Sequence, residues 1–329
     1  MPSISSHDPH SLIAEAETKK FLSNMWDKQY GQGLYFSALH EIDEHMYIPL
    51  KVGDNWMYAA HAIFDGFSIL DHLNKTYPEL SLKININTPF GPPKKTHWFK
   101  AIRSALSSKP LEKHVYIHQL PYDKKLNQNI SYFHLELTLE ETESLKNKNL
   151  TAHCLDILSK FFTNKLSRNQ TTRWMIPVNI RGHFKESGIS QMSASYLGIN
   201  CELHATSQEI KQQLIGKLKK GEQWGYWLLG KIGLIAGKKI IIDQTIKSLD
   251  KEHSDWFGSF SNLGTIGGMT SSPELVIIPS VRWHRPIACC TYIYRDKLNL
   301  ITSFHQSLEL NEETLSEYKN EIYKSLLSK

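Results

Sequence analysis

Residues 56–70 run Trp-Met-Tyr-Ala-Ala-His-Ala-Ile-Phe-Asp-Gly-Phe-Ser-Ile-Leu, and no other stretch limits the fold as tightly. The apolar, aromatic-rich part through Ala60 predicts a buried strand, and Ser68 with Asp71 three residues on predicts the start of a helix. His61-x-x-x-Asp65-Gly66 lies between them. A histidine leaving a strand end, with a carboxylate four residues later and a glycine where the backbone must turn, is held rigidly at the mouth of a cleft. That is how a general base is presented.

With 329 residues the chain has material for two subdomains, each with its own core: residues 1–138, which carry the histidine motif, and residues 139–329. The net charge is +5, spread over scattered lysines with no basic block, which suits a phosphate-bearing ligand. No nucleic-acid motif occurs, so nucleic acid is not an expected partner. Cys154, Cys201, Cys289 and Cys290 have no metal-ligand spacing, and the adjacent pair is badly placed to bridge to itself. Reduced, buried thiols, no metal site and a cytoplasmic location follow; the first residues carry no basic-then-apolar leader.

Along the chain, the patterning predicts a helix over 8–27, strands near Leu34 to Ile42 and Tyr47 to Val52, and a helix from Ser68 that stops before Pro78. A proline-rich connector over 85–97 leads to a helix from Thr96 to Leu106 and strands near Val115 to Leu120 and Ile130 to Leu137. Thr138 with Glu141 forms a capping box, and Thr151 opens a further helix through Leu166. Strands over 173–182 and 196–203 precede a helix from Ser207 to about Lys220. Trp224 to Ile242 is the most apolar stretch, but its lysines and glycines rule out a membrane span. It reads as a helix covering a ligand tunnel or core, with Trp224–Lys239 also suited to peripheral membrane contact. Strands near Phe257 to Gly264, Leu275 to Arg282, Ala288 to Tyr294 and Leu298 to Phe304 follow, and a helix from Asn311 completes the chain.

Three stretches carry a family resemblance: His61-x-x-x-Asp65-Gly66, Pro177-Val178-Asn179-x-Arg181 and Ser261-Asn262-x-Gly264. Together they resemble the CoA- and carrier-protein-dependent acyltransferase superfamily, which includes chloramphenicol acetyltransferases, condensation domains and wax ester or diacylglycerol acyltransferases. The resemblance implies an α/β (α+β) fold of two chloramphenicol-acetyltransferase-like subdomains, mixed sheets flanked by helices, with the active-site tunnel between them. It implies an acyltransferase in which His61 takes the proton of a hydroxyl or amine acceptor as that acceptor attacks a thioester directly. Asp65 then holds the loop by pairing with Arg181 or Arg173, Gly66 allows a sharp turn and close packing, and Ser261 or Asn262 faces the oxyanion. No cofactor is held permanently; the co-substrate is acyl-CoA or a phosphopantetheine thioester, and the partners are a small-molecule acceptor with acyl-CoA or an acyl carrier protein. The alternative is a non-catalytic condensation-like protein that binds an acyl carrier, a lipid or a protein. Many relatives place two histidines together; here Ala60 stands at the first. The strand ending at Phe304, followed by His305, a loop and a helix, echoes the His61 region without its Asp-Gly.

Overall fold

The computed structural model describes residues 10–11, 32–42, 44–85, 90–108, 113–122, 130–181, 183, 193–249 and 255–328. Among them the strands form two sheets. The smaller has the order β1-β3-β2-β8, with β1 at His10–Ser11, β2 at Tyr47–Val52, β3 at Asn55–Ala60 and β8 at Leu275–Ile277. The larger runs β4-β10-β9-β7-β5-β6. Its members are β4 (Ile130–Glu136), β5 (Thr171–Asn179), β6 (Ala194–Glu202), β7 (Gly258–Gly267), β9 (Ile287–Tyr294) and β10 (Lys297–His305). Pairing is mixed: β5 and β9 each lie parallel to β7, and the other pairs of this sheet are antiparallel.

Strand periodicity explains how one sheet serves two cores. On β9, Ile287 and Cys289 join the core of the later part of the chain, whereas Cys290 and Tyr292 join the core around β2 and β3. Both faces of β9 are therefore covered, and its sequence reads as an unbroken apolar run. On β5, Trp174 and Ile176 enter the later core, leaving Met175, Pro177 and Asn179 on the face toward the smaller sheet. On β7, Phe260 is fully buried in the later core while Ser259 and Ser261 face the other way.

The sheets also exchange strands across residue 138. Ile130–Glu136, from the expected first subdomain, is the edge of the larger sheet beside β10. Leu275–Ile277, from the later part, completes the smaller sheet against β2, with Leu50 opposite Ile277 and Val52 opposite Leu275. As the alternation predicts, Phe133 and Leu135 of β4 are buried while Glu136 is exposed.

Several elements differ from the sequence reading. Residues 8–27 lie outside the described residues except His10–Ser11, which pair with Met57 and Tyr58 as strand, not helix. Gln32–Glu41 is a helix where a strand was expected. Leu34 and Ala38 lie on one side of this helix and Phe36 and Leu39 on the other, so it is buried all round, and an apolar run this short reads either way until tertiary contacts decide. Val115 to Leu120 supplies only an isolated bridge from Tyr116 to Ser167. Leu275 to Arg282 keeps strand pairing only to Ile277. Trp224 to Ile242 spans two helices, Glu222–Ala236 and Lys238–Leu249, separated by Gly237 at φ +106°, a conformation side chains disfavour. No described helix is long and apolar enough to cross a membrane.

The Glu222–Ala236 helix packs closely on Trp98–Ser107 at Gly225, where an added Cβ would overlap the Ala101 carbonyl oxygen and lie 2.9 Å from the Ala105 methyl. Gly225→Ala is expected to destabilise the protein by about 1–3 kcal/mol, despite alanine's better helix propensity, because backbone must move to admit the methyl group. Urea unfolding checks this; an unchanged midpoint would show that the helix pair separates at no cost.

Candidate active site

The Gly66–Thr76 helix begins at Asp65. Asp65 Oδ1 accepts from the Ser68 backbone N–H at 3.0 Å, and the Asp65 backbone N–H donates to Ser68 Oγ at 2.8 Å. The capping box is thus Asp65 with Ser68, one turn earlier than the expected Ser68 with Asp71; Asp71 instead pairs with Lys75 on the exposed side. Capping leaves carboxylate lone pairs for a second task. Arg181 Nη2 donates to Asp65 Oδ1 at 2.7 Å and Oδ2 at 2.8 Å, and the Ser193 backbone N–H donates to Oδ2 at 2.9 Å. Arg181 is 0% exposed; its Nη1 and backbone N–H both donate to Asn179 Oδ1. A loop of the smaller sheet is thereby tied to the end of β5. Of the two arginines considered as partners, Asp65 meets Arg181. Arg173 donates to the Ser108 carbonyl and stacks over Trp256, with 4.2 Å from guanidinium carbon to ring centre.

Gly66 takes no left-handed φ, so the backbone there does not need glycine's conformational freedom. Its role is proximity: a Cβ there would sit 2.6 Å from Leu263 Cδ2 on β7.

His61 follows β3 and is half-buried. Its ring stacks on Phe36 of the unexpected helix, with centroids 3.8 Å apart and planes at 21°. Nδ1 is sealed without a hydrogen-bond partner, which leaves Nε2 as the nitrogen toward open space. Burial pushes the imidazole pKa down from 6.5 to about 4; the nearby Arg285 charge acts the same way, against the carbonyls of His61 and Phe64 and the Asp65 charge. The ring is therefore neutral at pH 7.

His61 lines a cavity of ≈ 110 Å³ between the two sheets, together with Gly66, Pro177, Asn179, Ser261 and Cys290. Ser261, for which no side-chain hydrogen bond is found among the described residues, turns toward it. Asn262 also lines the cavity, but its amide is committed: Nδ2 donates to Thr151 Oγ1 at 2.9 Å and Oδ1 accepts from the Gly264 N–H at 2.9 Å. Burial pushes the Cys290 thiol up to about 12, so it is a neutral thiol rather than a nucleophile. His305 lies elsewhere, 1% exposed, with Nδ1 accepting from the Ser307 backbone N–H at 3.2 Å.

A second, larger cavity of ≈ 450 Å³ lies beyond Phe36, roofed by the helices Glu222–Ala236 and Lys238–Leu249. Trp224 is buried at the start of this roof, while Ile232 and Ile235 near its far end are exposed. Met175 and Arg285 line both cavities, and Arg285 Nη1 points at Met175 Sδ, 2.9 Å away. Phe36, Met175 and Arg285 escaped the sequence reading. No local spacing marks them, because they converge from a helix, the middle of a strand and the loop before β9.

By sequence alone, no protein-family model and no curated protein matches the chain. Solved structures do match. A variant of the starter condensation domain of rhizomide synthetase RzmA in complex with C8-CoA superposes with a TM-score of 0.53 at 8% identity, covering 83% of this chain and 65% of that one. Another variant of that domain, in a "product-released" conformation, gives 0.54 at 9% identity with the same coverage. The EpoB cyclization-docking bidomain from Sorangium cellulosum gives 0.52 at 13% identity, covering 83% and 59%. The chain spans less than two thirds of the length of each of these three proteins. Two sheets that trade strands, a cavity between them and a histidine loop at its wall thus belong to a chain with the condensation-domain, chloramphenicol-acetyltransferase-like fold.

Proposed function

We propose that the protein is an acyltransferase that moves an acyl group from acyl-CoA or a carrier-protein thioester to a hydroxyl or amine acceptor, with His61 as general base. The observation that carries this reading is the His61 ring itself: neutral at pH 7, Nδ1 sealed, Nε2 facing a cavity between the sheets. The acceptor O–H or N–H gives its proton to Nε2 as its heavy atom bonds to the thioester carbonyl carbon. The tetrahedral oxyanion then collapses, the C–S bond breaks, and the departing thiolate takes the proton back from the imidazolium. Ser261, which lines the same cavity, donates to the oxyanion in this reading, a contribution typically worth about 3 kcal/mol. Asp65 and Arg181 fix the loop and take no proton. A neighbour of the same fold that was crystallised with C8-CoA supports a CoA thioester as donor.

One observation favours the non-catalytic alternative. A cavity of ≈ 110 Å³ beside His61 is small for a thioester and an acceptor together, and Phe36 covers one face of the ring. Under the transferase reading Phe36 or Met175 moves aside when substrates enter. The experiment is CoA release from a panel of acyl-CoAs with amine and alcohol acceptors, wild type against His61→Ala. A loss of about 10²- to 10⁴-fold in acceptor-dependent release is expected. Equal release by the two proteins would remove His61 as base, and no acceptor-dependent release from wild type would favour the binding protein.

A further inference from the structure

Arg285 is 7% exposed and has no carboxylate partner among the described residues. Its Nε is buried without an acceptor, and its Nη1 meets only the weakly accepting Met175 thioether. The neighbouring Arg282 differs: its Nη2 donates to Glu44 Oε2 at 2.5 Å, which neutralises it. Asp255, a carboxylate on the wall of the larger cavity, forms no ion pair with Arg285. A cation taken out of water ordinarily keeps a counter-charge, because an uncompensated one costs several kcal/mol. Among the described residues Arg285 has none, and it stands where both cavities meet, near enough to His61 for its charge to act on that ring.

We propose that Arg285 anchors a carboxylate of the acyl acceptor, whose apolar remainder fills the larger cavity. The guanidinium fork matches a carboxylate, and that cavity offers Leu34, Phe36, Leu229, Ile240 and Ile241 to a hydrocarbon group. The phosphates of CoA are a poor fit, since a full pantetheine arm separates them from a thioester at His61. An amino or hydroxy acid with an aliphatic side chain satisfies all three demands: carboxylate to Arg285, attacking N–H or O–H to His61, side chain beneath the helical roof. This assignment rests on the transferase reading for the word acceptor; the anion site itself does not.

The test begins with binding, measured by calorimetry on the full chain with 4-methylpentanoate and 4-methylpentanamide. The carboxylate is expected to bind about tenfold or more tighter than the amide, a preference kept in His61→Ala and lost in Arg285→Met. Equal binding of the two probes by wild type, or a preference that survives in folded Arg285→Met, would overturn the site. Should Arg285→Met not fold, Arg285→Lys is the second variant, expected to weaken the preference by breaking the fork while keeping the charge; an undiminished preference overturns the site. The source of the carboxylate is then read from transfer rates. Octanoyl-CoA is offered leucine against 3-methylbutylamine, and 3-methylbutylamine is offered succinyl-CoA against butyryl-CoA. Preference for leucine supports the acceptor assignment; preference for succinyl-CoA alone moves the carboxylate to the acyl group and overturns it. Carboxylate selectivity with no CoA released from any pair would sink the transferase reading while supporting the anion site.

Discussion

Asp65→Ala is expected to lower folding stability by about 3–5 kcal/mol, the usual penalty for stranding one member of a buried ion pair. Arg181 is 0% exposed and would keep its charge without the carboxylate whose two oxygens its Nη2 reaches. The same substitution removes the acceptor for the Ser68 N–H at the helix start, a cap commonly worth about 1 kcal/mol, and the acceptor for the Ser193 N–H. Asp65→Asn should be milder at the cap and equally poor at neutralising Arg181. Arg181→Met combined with Asp65→Asn should recover part of the loss, because the stranded charge leaves with the arginine. Urea unfolding of the singles and the double closes the cycle. If the single losses stay below 1 kcal/mol, or simply add, the pair is not the brace described above. Acceptor-dependent transfer should fall together with stability, since His61 shares the loop that Asp65 closes.

The second large effect is acid lability well above the usual carboxylate range. Burial holds His114 and His305 at about 4, with Arg173 and Arg282 respectively pressing the same way. Hydrogen bonding agrees with that direction: His114 Nε2 accepts from the Arg173 backbone N–H at 3.0 Å and His305 Nδ1 from the Ser307 N–H at 3.2 Å. Protonating His114 Nε2 turns an acceptor into a donor facing the Arg173 N–H, and protonating His305 Nδ1 gives up the bond from the Ser307 N–H. Both rings have folded pKa values below the unfolded 6.5, so their stabilisation is complete above pH 6.5 and is lost as the pH falls toward 4. In that window each ring should contribute a slope of roughly 1.4 kcal/mol per pH unit, on the order of 3 kcal/mol apiece by pH 4. His61 adds a smaller share because its ring is partly open to the cavity. Urea titrations at pH 7, 6, 5 and 4 measure the slope, and His114→Gln or His305→Asn should each remove about one proton's worth. A flat profile from pH 7 to 5 would contradict the buried neutral rings.

How much of this was legible in the sequence follows from the range of the forces involved. Short-range signals read correctly: the β2–β3 hairpin around Gly53, the alternation of Phe133 and Leu135, and the Thr138–Glu141 capping box each depend on neighbours a few residues apart. The Gln32–Glu41 helix was misread because its apolar content is decided by what covers it, chiefly His61 and the Lys238–Leu249 helix. Asp65 and Arg181 are 116 residues apart, and nothing in the spacing separated Arg181 from Arg173 as the partner. Arg285 carried even less signal, since the absence of a counter-charge exists only once every surrounding element is in place.

The strands traded between the sheets set a rule for how anything reaches the histidine. Lys83 donates to the Ile266 carbonyl, Gly268 to that of Ser81 and Ser272 Oγ to that of Glu79, so hydrogen bonds fasten the segment after the Gly66–Thr76 helix to β7 and the loop that follows it. Gaping open like a clamshell would tear several of these at once, at a net cost of about 1 kcal/mol each. The expected route to the interior then runs between side chains, Phe36 and Met175 foremost, where a single substitution should change which molecules enter.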